Sequence, residues 1–174
     1  MKKNTEYKME KTAIFPGSFD PFTVGHENLV RRALGLFDKI IIGVGHNSEK
    51  HYYFPIDARV AFIKAEFSNE PRVSVESYSN LTVEFAEEKK AGFILRGIRT
   101  AADFEYERAI AQVNRLMTSI DSIFLLTTPQ HTPVNSSIVR DILKHDGDAS
   151  KFIPPIIYRL ILEQKENEKN IRNK

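Results

Sequence analysis

The sequence predicts an α/β fold, a doubly wound parallel sheet of five strands flanked by helices, in a single domain. Three observations carry this. Short apolar or β-branched runs alternate with segments of helical periodicity, and breakers such as Pro16-Gly17, Gly45 and Gly92 punctuate them. Nearly every chemically unusual residue falls just after a predicted strand, where ligands bind in such sheets.

The first strand is expected at residues 12–15, ending on Pro16-Gly17. Leu29, Val30, Ala33, Leu36 and Phe37 then recur at helical spacing across residues 26–37. Residues 39–44 form a β-branched second strand closed by Gly45. Pro55 suits the first turn of a helix whose inner face holds Val60, Ile63 and Phe67. A strand at 73–76, a helix at 81–90 and a strand at 93–95 continue the pattern. Asp103 is placed as the N-cap of a long helix with Tyr106, Ile110, Val113 and Met117 along one face. A fifth strand follows at 123–126 and a helix at 136–144, and Pro154-Pro155 opens a last helix. This is the alternation of a Rossmann-like sheet. Residues 1–10 read as a flexible leader, 11–160 as the domain, and 161–174 as the end of the last helix with a charged tail.

Composition narrows the function. The chain has 174 residues and no cysteine, which excludes disulfides, thiolate metal sites and cysteine nucleophiles. A cytoplasmic address is expected: the charged N-terminus lacks the apolar centre of a signal peptide, and no apolar run approaches the roughly 20 residues of a membrane helix. The net charge of +2 is scattered along the chain rather than gathered in a basic stripe. That argues against nucleic acid and suits a small anionic ligand.

The loops expected to carry chemistry are 16–25, 45–54, 78–81, 96–102 and 127–135. In the first, Gly17 and Gly25 allow close backbone approach, Ser18 offers a hydroxyl, and His26 falls at a helix start that favours an anion. Turns and a helix cap would explain these residues singly; their concentration in one loop points to a site. No Gly-x-x-x-x-Gly-Lys-Ser/Thr loop is present, and Gly43-Val-Gly45 lacks the third glycine of a dinucleotide fingerprint. Ser18, Asp20 and His26 suggest a hydrolytic triad, but no Gly-x-Ser-x-Gly supports it. In the fourth loop, Arg96 and Arg99 flank Gly97 directly after a strand, which suits a phosphate clamp, with ion pairs to Asp103 and Glu105 as the alternative. In the fifth, Asn135, Ser136 and Ser137 open a helix, as an anion site or as an ordinary cap. Lys50, after the second strand, is the remaining candidate.

Together these residues carry a resemblance. Gly17-Ser-Phe-Asp-Pro-Phe-Thr-Val-Gly-His26 with Asn135-Ser-Ser-Ile-Val-Arg140 resembles the nucleotidyltransferase superfamily that has a (His/Thr)-x-Gly-His motif. Arg96-Gly-Ile-Arg99, Ala102-Asp-Phe-Glu-Tyr-Glu107, His145-Asp-Gly-Asp148 and Phe152-Ile-Pro154 are similar to the bacterial phosphopantetheine adenylyltransferases, over residues 11–160. The resemblance implies transfer of the adenylyl group of ATP to 4′-phosphopantetheine, giving dephospho-coenzyme A and pyrophosphate, by in-line attack.

Carried over by position, it implies that Ser18 meets both substrates and that His26 stabilises the transition state. Lys50 and Arg96 would hold the phosphopantetheine phosphate, and Thr82 would touch pantetheine. The ATP site would comprise Ser18, Phe19, His26, Gly97, Ile98, Arg99, Glu107, His131, Thr132, Pro133, Val134, Asn135, Ser136 and Ser137. Ser18 stands where many members carry Thr, and Asn135 where they carry Ser or Val. Mg²⁺ is implied, held through phosphates. So are a homohexamer and coenzyme A as a candidate feedback ligand. The alternatives are another phosphorylated acceptor, such as nicotinamide mononucleotide or glycerol phosphate, and a nucleotide sensor without catalysis.

Overall fold

The computed structural model describes residues 10–47 and 49–172, which include none of the expected leader except Glu10. Its five strands are β1 (Thr12–Gly17), β2 (Lys39–Gly45), β3 (Val73–Tyr78), β4 (Phe93–Ile98) and β5 (Asp121–Leu126). They form one wholly parallel sheet in the order β3-β2-β1-β4-β5. The chain winds outward from β1 to β3, then returns to the other side of β1 for β4 and β5. The reversal therefore lies between β1 and β4.

The helices are α1 (Val24–Ala33), α2 (Ile56–Glu66), α3 (Thr82–Glu88), α4 (Ala101–Met117), α5 (Ser136–Lys144) and α6 (Pro155–Arg172), with a 3-10 turn at Pro129–His131. Among the described residues no helix is long and apolar enough to cross a membrane.

Strand alternation divides the core. Ala13, Phe15, Ile40 and Ile42 face a large cluster with Leu29 and Val30 of α1, Ile63 of α2, Leu143 of α5 and Ile157 of α6. Ile14 and Ile41 face the opposite way, into a smaller cluster with Val83, Phe85 and Ala86 of α3. Burying both faces explains why these strands read as continuous apolar runs rather than as alternating ones.

Four expectations need correction. β1 does not stop at Pro16-Gly17 but runs through it, pairing with Gly43 and Val44 of β2. Its pairing with β4 extends only over Ala13 and Ile14, so at Pro16 the missing N–H falls where no partner on that side needs one. α1 begins at Val24 and ends at Ala33, because the chain turns at Gly35, and Leu36 is left exposed. The cap of α4 is Thr100, whose hydroxyl accepts the Asp103 N–H at 3.1 Å; Asp103 lies a turn inside. α4 also contributes no fully buried side chain: Tyr106, Val113 and Met117 lie on an exposed surface.

Candidate active site

β1 and β4 part beyond Ile14, and the crevice so formed is the site. Arg96 of β4 spans it, donating from Nη1 to the Pro16 carbonyl at 3.2 Å. A cleft of about 650 Å³ opens here, walled by the loops after β1, β2, β4 and β5. A second, of about 550 Å³, lies toward β2 and β3. The two clefts share Pro16, Gly17, Ser18, Lys50 and Arg96. A smaller hollow of about 250 Å³ continues from Arg96 between α3 and α4, lined by Leu81, Thr82, Ile110, Asn114 and Met117.

His26 is the best-defined group in the large cleft. Thr23 caps α1, and its backbone N–H donates to His26 Nδ1 at 3.0 Å. A ring nitrogen that accepts cannot carry the proton, so in the neutral ring the proton sits on Nε2. Burial, and secondarily the positive charge of Arg99, lowers the His26 pKa to about 4. His26 is thus a neutral N–H donor at physiological pH. Phe19 packs edge-on against its ring with centroids 5.2 Å apart. Phe19 itself adopts φ 46°, an uncommon backbone for a bulky residue, and the surrounding aromatic contacts hold it there.

The triad geometry is absent. His26 Nδ1 is taken by Thr23, and both Asp20 carboxylate oxygens accept backbone N–H groups, from Tyr53 at 2.8 Å and Phe54 at 2.9 Å. Asp20 is buried and stitches the first loop to the second. The Asp20-Pro21 peptide bond is cis. Arg140 of α5 donates to the Asp20 carbonyl at 2.7 Å, and Ser136 to the Pro21 carbonyl at 2.8 Å, so the fifth loop is tied to the same place.

The arginines of the fourth loop are both paired. Arg96 forms a two-pronged contact with Glu107 of α4, at 2.6 Å from Nε and with a second bond from Nη2. Arg99 pairs with Asp103, Nε to Oδ2 at 3.0 Å, rather than with Glu105, which pairs with Arg108. The desolvation of Asp103 raises its pKa, but the Arg99 guanidinium outweighs that and holds the carboxyl below its usual value. Asn135 caps α5, accepting the Ile138 N–H at 2.9 Å.

Of the residues singled out in the sequence, Ser18, Phe19, His26, Lys50, Arg96, Gly97, Arg99, Glu107, His131, Val134, Asn135, Ser136 and Ser137 line the large cleft. Thr82 lies in the adjoining cleft, where its hydroxyl meets Tyr78 Oη at 2.9 Å. Ile98 is buried, and Thr132 and Pro133 are not on the cleft wall. Two glycines have packing reasons of their own: a Cβ on Gly17 would come within 2.7 Å of the Phe19 ring, and one on Gly97 within 2.4 Å of Leu29.

Thr23, Asp20 and Arg140 hold the site together and were not singled out as binding residues from the sequence. A signal for Thr23 existed: a capping residue three positions before His26 at a helix start is a capping pattern. Asn114 lines the small hollow with no comparable signal.

Residues 14–142 match the model of the cytidylyltransferase-like family. Among similar proteins, one from Flavobacterium johnsoniae is 48% identical over 147 residues, 84% of this chain and 97% of its own. One from Bacteroides fragilis is 51% identical over 144 residues, covering 83% and 96%. A more distant one, from Thiobacillus denitrificans, is 40% identical over 158 residues, covering 90% and 99%. Each is named phosphopantetheine adenylyltransferase.

Proposed function

The chain belongs to the phosphopantetheine adenylyltransferases of the cytidylyltransferase-like family, and we propose that its joined clefts hold ATP and 4′-phosphopantetheine on either side of a shared cationic wall. The enzyme transfers the adenylyl group of ATP to 4′-phosphopantetheine, giving dephospho-coenzyme A and pyrophosphate, a step of coenzyme A biosynthesis. The observation that carries the placement is the three polar or charged side chains among the residues common to both clefts: Ser18, Lys50 and Arg96. A group held by all three lies where one substrate's phosphate meets the other's.

In this reading ATP fills the large cleft, with its phosphates between Ser18, Arg99 and the N-terminus of α5, where free backbone N–H groups favour an anion. Phosphopantetheine enters from the other side, its phosphate on Lys50 and Arg96 and its arm toward Thr82. The phosphate oxygen attacks the α-phosphorus in line; the new P–O bond forms as the bond to the β-phosphate bridging oxygen breaks, and pyrophosphate leaves. A phosphate monoester is largely ionised at neutral pH, so no general base is required. The work is positioning and charge stabilisation. In this reading His26 Nε2–H donates to an α-phosphate oxygen as charge shifts, and a neutral donor needs no proton taken up from solvent.

Among the described residues no cluster of three or more carboxylates or imidazoles converges. This donor set suits Mg²⁺ carried on the triphosphate, where it would draw off phosphate charge. Coenzyme A combines a pantetheine arm with an adenine nucleotide, so it fits the same pair of clefts as a feedback ligand. A cytoplasmic location is part of the same proposal, since ATP is supplied there. Association of the chain with further copies is supported by the unburied α4 surface, where Tyr106 is 68% and Leu116 88% exposed, and the homohexamer is the assembly the family resemblance implies.

The test is pyrophosphate release from Mg-ATP with 4′-phosphopantetheine and, in parallel, nicotinamide mononucleotide. Release with phosphopantetheine alone, with dephospho-coenzyme A as product, is expected. Release only with the mononucleotide would change the acceptor, and release with neither would leave a nucleotide sensor.

A further inference from the structure

Arg59, in the first turn of α2, is only 1% exposed and is the bulkiest of the fully buried side chains among the described residues. Among the described residues its guanidinium has no salt bridge to a carboxylate. It is spent on backbone instead: Nη1 donates to the Ser18 carbonyl at 2.5 Å and to the Gly45 carbonyl at 3.3 Å, and Nε to the Phe54 carbonyl at 3.1 Å. The Tyr52 ring lies 4.0 Å from Cζ, within cation–π range. Among the described residues Nη2 is buried with no hydrogen-bond partner.

Burying a guanidinium is costly, and an apolar side chain of similar volume commonly stabilises a core as well or better. A plain core role therefore does not account for arginine here. Its bonds do. All three carbonyls belong to the two segments that bear the residues common to both clefts: Ser18 itself, and the loop from Gly45 to Phe54, which carries Lys50. Tyr52, under the guanidinium, also lies 5.8 Å from the Lys50 ammonium by its ring centroid.

We propose that Arg59 is a positioning residue for adenylyl transfer: by tying the Ser18 carbonyl to the loop that carries Lys50, it sets where the Ser18 hydroxyl and the Lys50 ammonium stand relative to each other. The inference rests on the two-cleft reading above.

Two variants test it. Arg59→Met fills the volume without donors, and Arg59→Lys keeps the charge without the fork. Kinetic constants for each substrate are measured well below each variant's Tm. Arg59→Met is expected to lower kcat/KM for phosphopantetheine on the order of 100-fold, as for a small displacement of reacting groups. KM for ATP changes by less than about threefold, since most of the ATP wall is untouched. Arg59→Lys recovers part of the loss, and carries the test if the methionine variant does not fold.

In a cycle with Lys50→Ala the losses are expected to be strongly non-additive, because both act through one loop. A folded Arg59 variant with wild-type constants, or additive losses, overturns the proposal. If the wild type itself fails to use phosphopantetheine, the functional reading falls. The tie between the loops is then read by amide hydrogen exchange, expected to rise in Arg59→Met across both residues 18–20 and 49–54. Unchanged exchange there overturns it.

Discussion

The loops after β1 and β2 and the loop after β4 face one cleft, yet they hold their charges in opposite ways. At the first pair Asp20 is buried, as is Arg59, which reaches in from α2, and their closest partners are backbone groups: Asp20 takes two N–H donors and Arg59 serves three carbonyls. At the end of β4, Arg96 in the strand and Arg99 in the loop after it are partly exposed, and the carboxylates of Glu107 and Asp103 are their side-chain partners. Backbone partners cannot leave, so the first arrangement is scaffold. A partly exposed carboxylate can give way to a substrate phosphate, so the second keeps cations ready. The difference separates charge that shapes the site from charge that meets the ligand.

The sharpest way to break this contrast is Asp20→Ala. It orphans the Tyr53 and Phe54 N–H groups and removes the carboxylate nearest the buried Arg59. A loss of about 3–5 kcal/mol in unfolding free energy is expected, as when one partner of a buried charged network is removed. Denaturant unfolding measures it. A loss below about 1 kcal/mol would place Asp20 with the exchangeable charges.

His26 stands at the meeting of the two regions, oriented by the first loop and facing Arg99 of the other. His26→Ala is expected to cost on the order of 3 kcal/mol in kcat with little change in ATP affinity, as for removal of a transition-state donor. Steady-state kinetics with ATP titration reads both. A variant retaining near-normal kcat would remove His26 from the chemistry.

The same residue links site and stability through pH. Its folded pKa of about 4 lies below the ordinary 6.5, so between these values the unfolded chain binds the proton and the folded one does not. Its contribution is therefore present above pH 6.5 and is lost as pH falls toward 4, up to about 3 kcal/mol in all. Comparing wild type with His26→Asn by denaturant unfolding at pH 7 and pH 4.5 isolates it. The wild type should lose more stability than the variant over that interval, and parallel losses would mean that His26 is more solvated than its packing implies.

Much of this was legible in the sequence, and the illegible part has a common cause. The five parallel strands, the loops at their carboxyl ends and most of the cleft wall follow from local signals: β-branched runs, breakers, and polar residues placed after strands. What did not follow depends on contacts across the sheet. Arg59 sits among ordinary helical residues, and nothing local says that its guanidinium enters the core. Pro16 reads as a breaker because its place at the parting of β1 from β4 is a tertiary fact. Gly17 reads as an opening for a ligand, while the Phe19 ring also demands it. The helical spacing of Tyr106, Val113 and Met117 is that of a buried face, but this surface faces away from the chain's own core. Periodicity reports that a face is apolar, not what covers it.

The smallest expected effect is the most discriminating for the β4 loop. Asp103→Asn weakens the ion pair with Arg99, whose side chains are 28% and 40% exposed. Solvent screens such a pair, so the loss of stability should stay under about 1 kcal/mol. Because the depressed Asp103 pKa means its contribution exists only above the carboxylate range, the small deficit should vanish as pH falls through that range. If Arg99 is held in reserve for phosphate, freeing it leaves the KM for ATP unchanged or lowers it by up to about threefold. A stability loss as large as that of Asp20→Ala would show the opposite: Arg99 would be scaffold like Arg59, and the phosphates would have to be met by Lys50, Arg96 and the N-terminus of α5 alone.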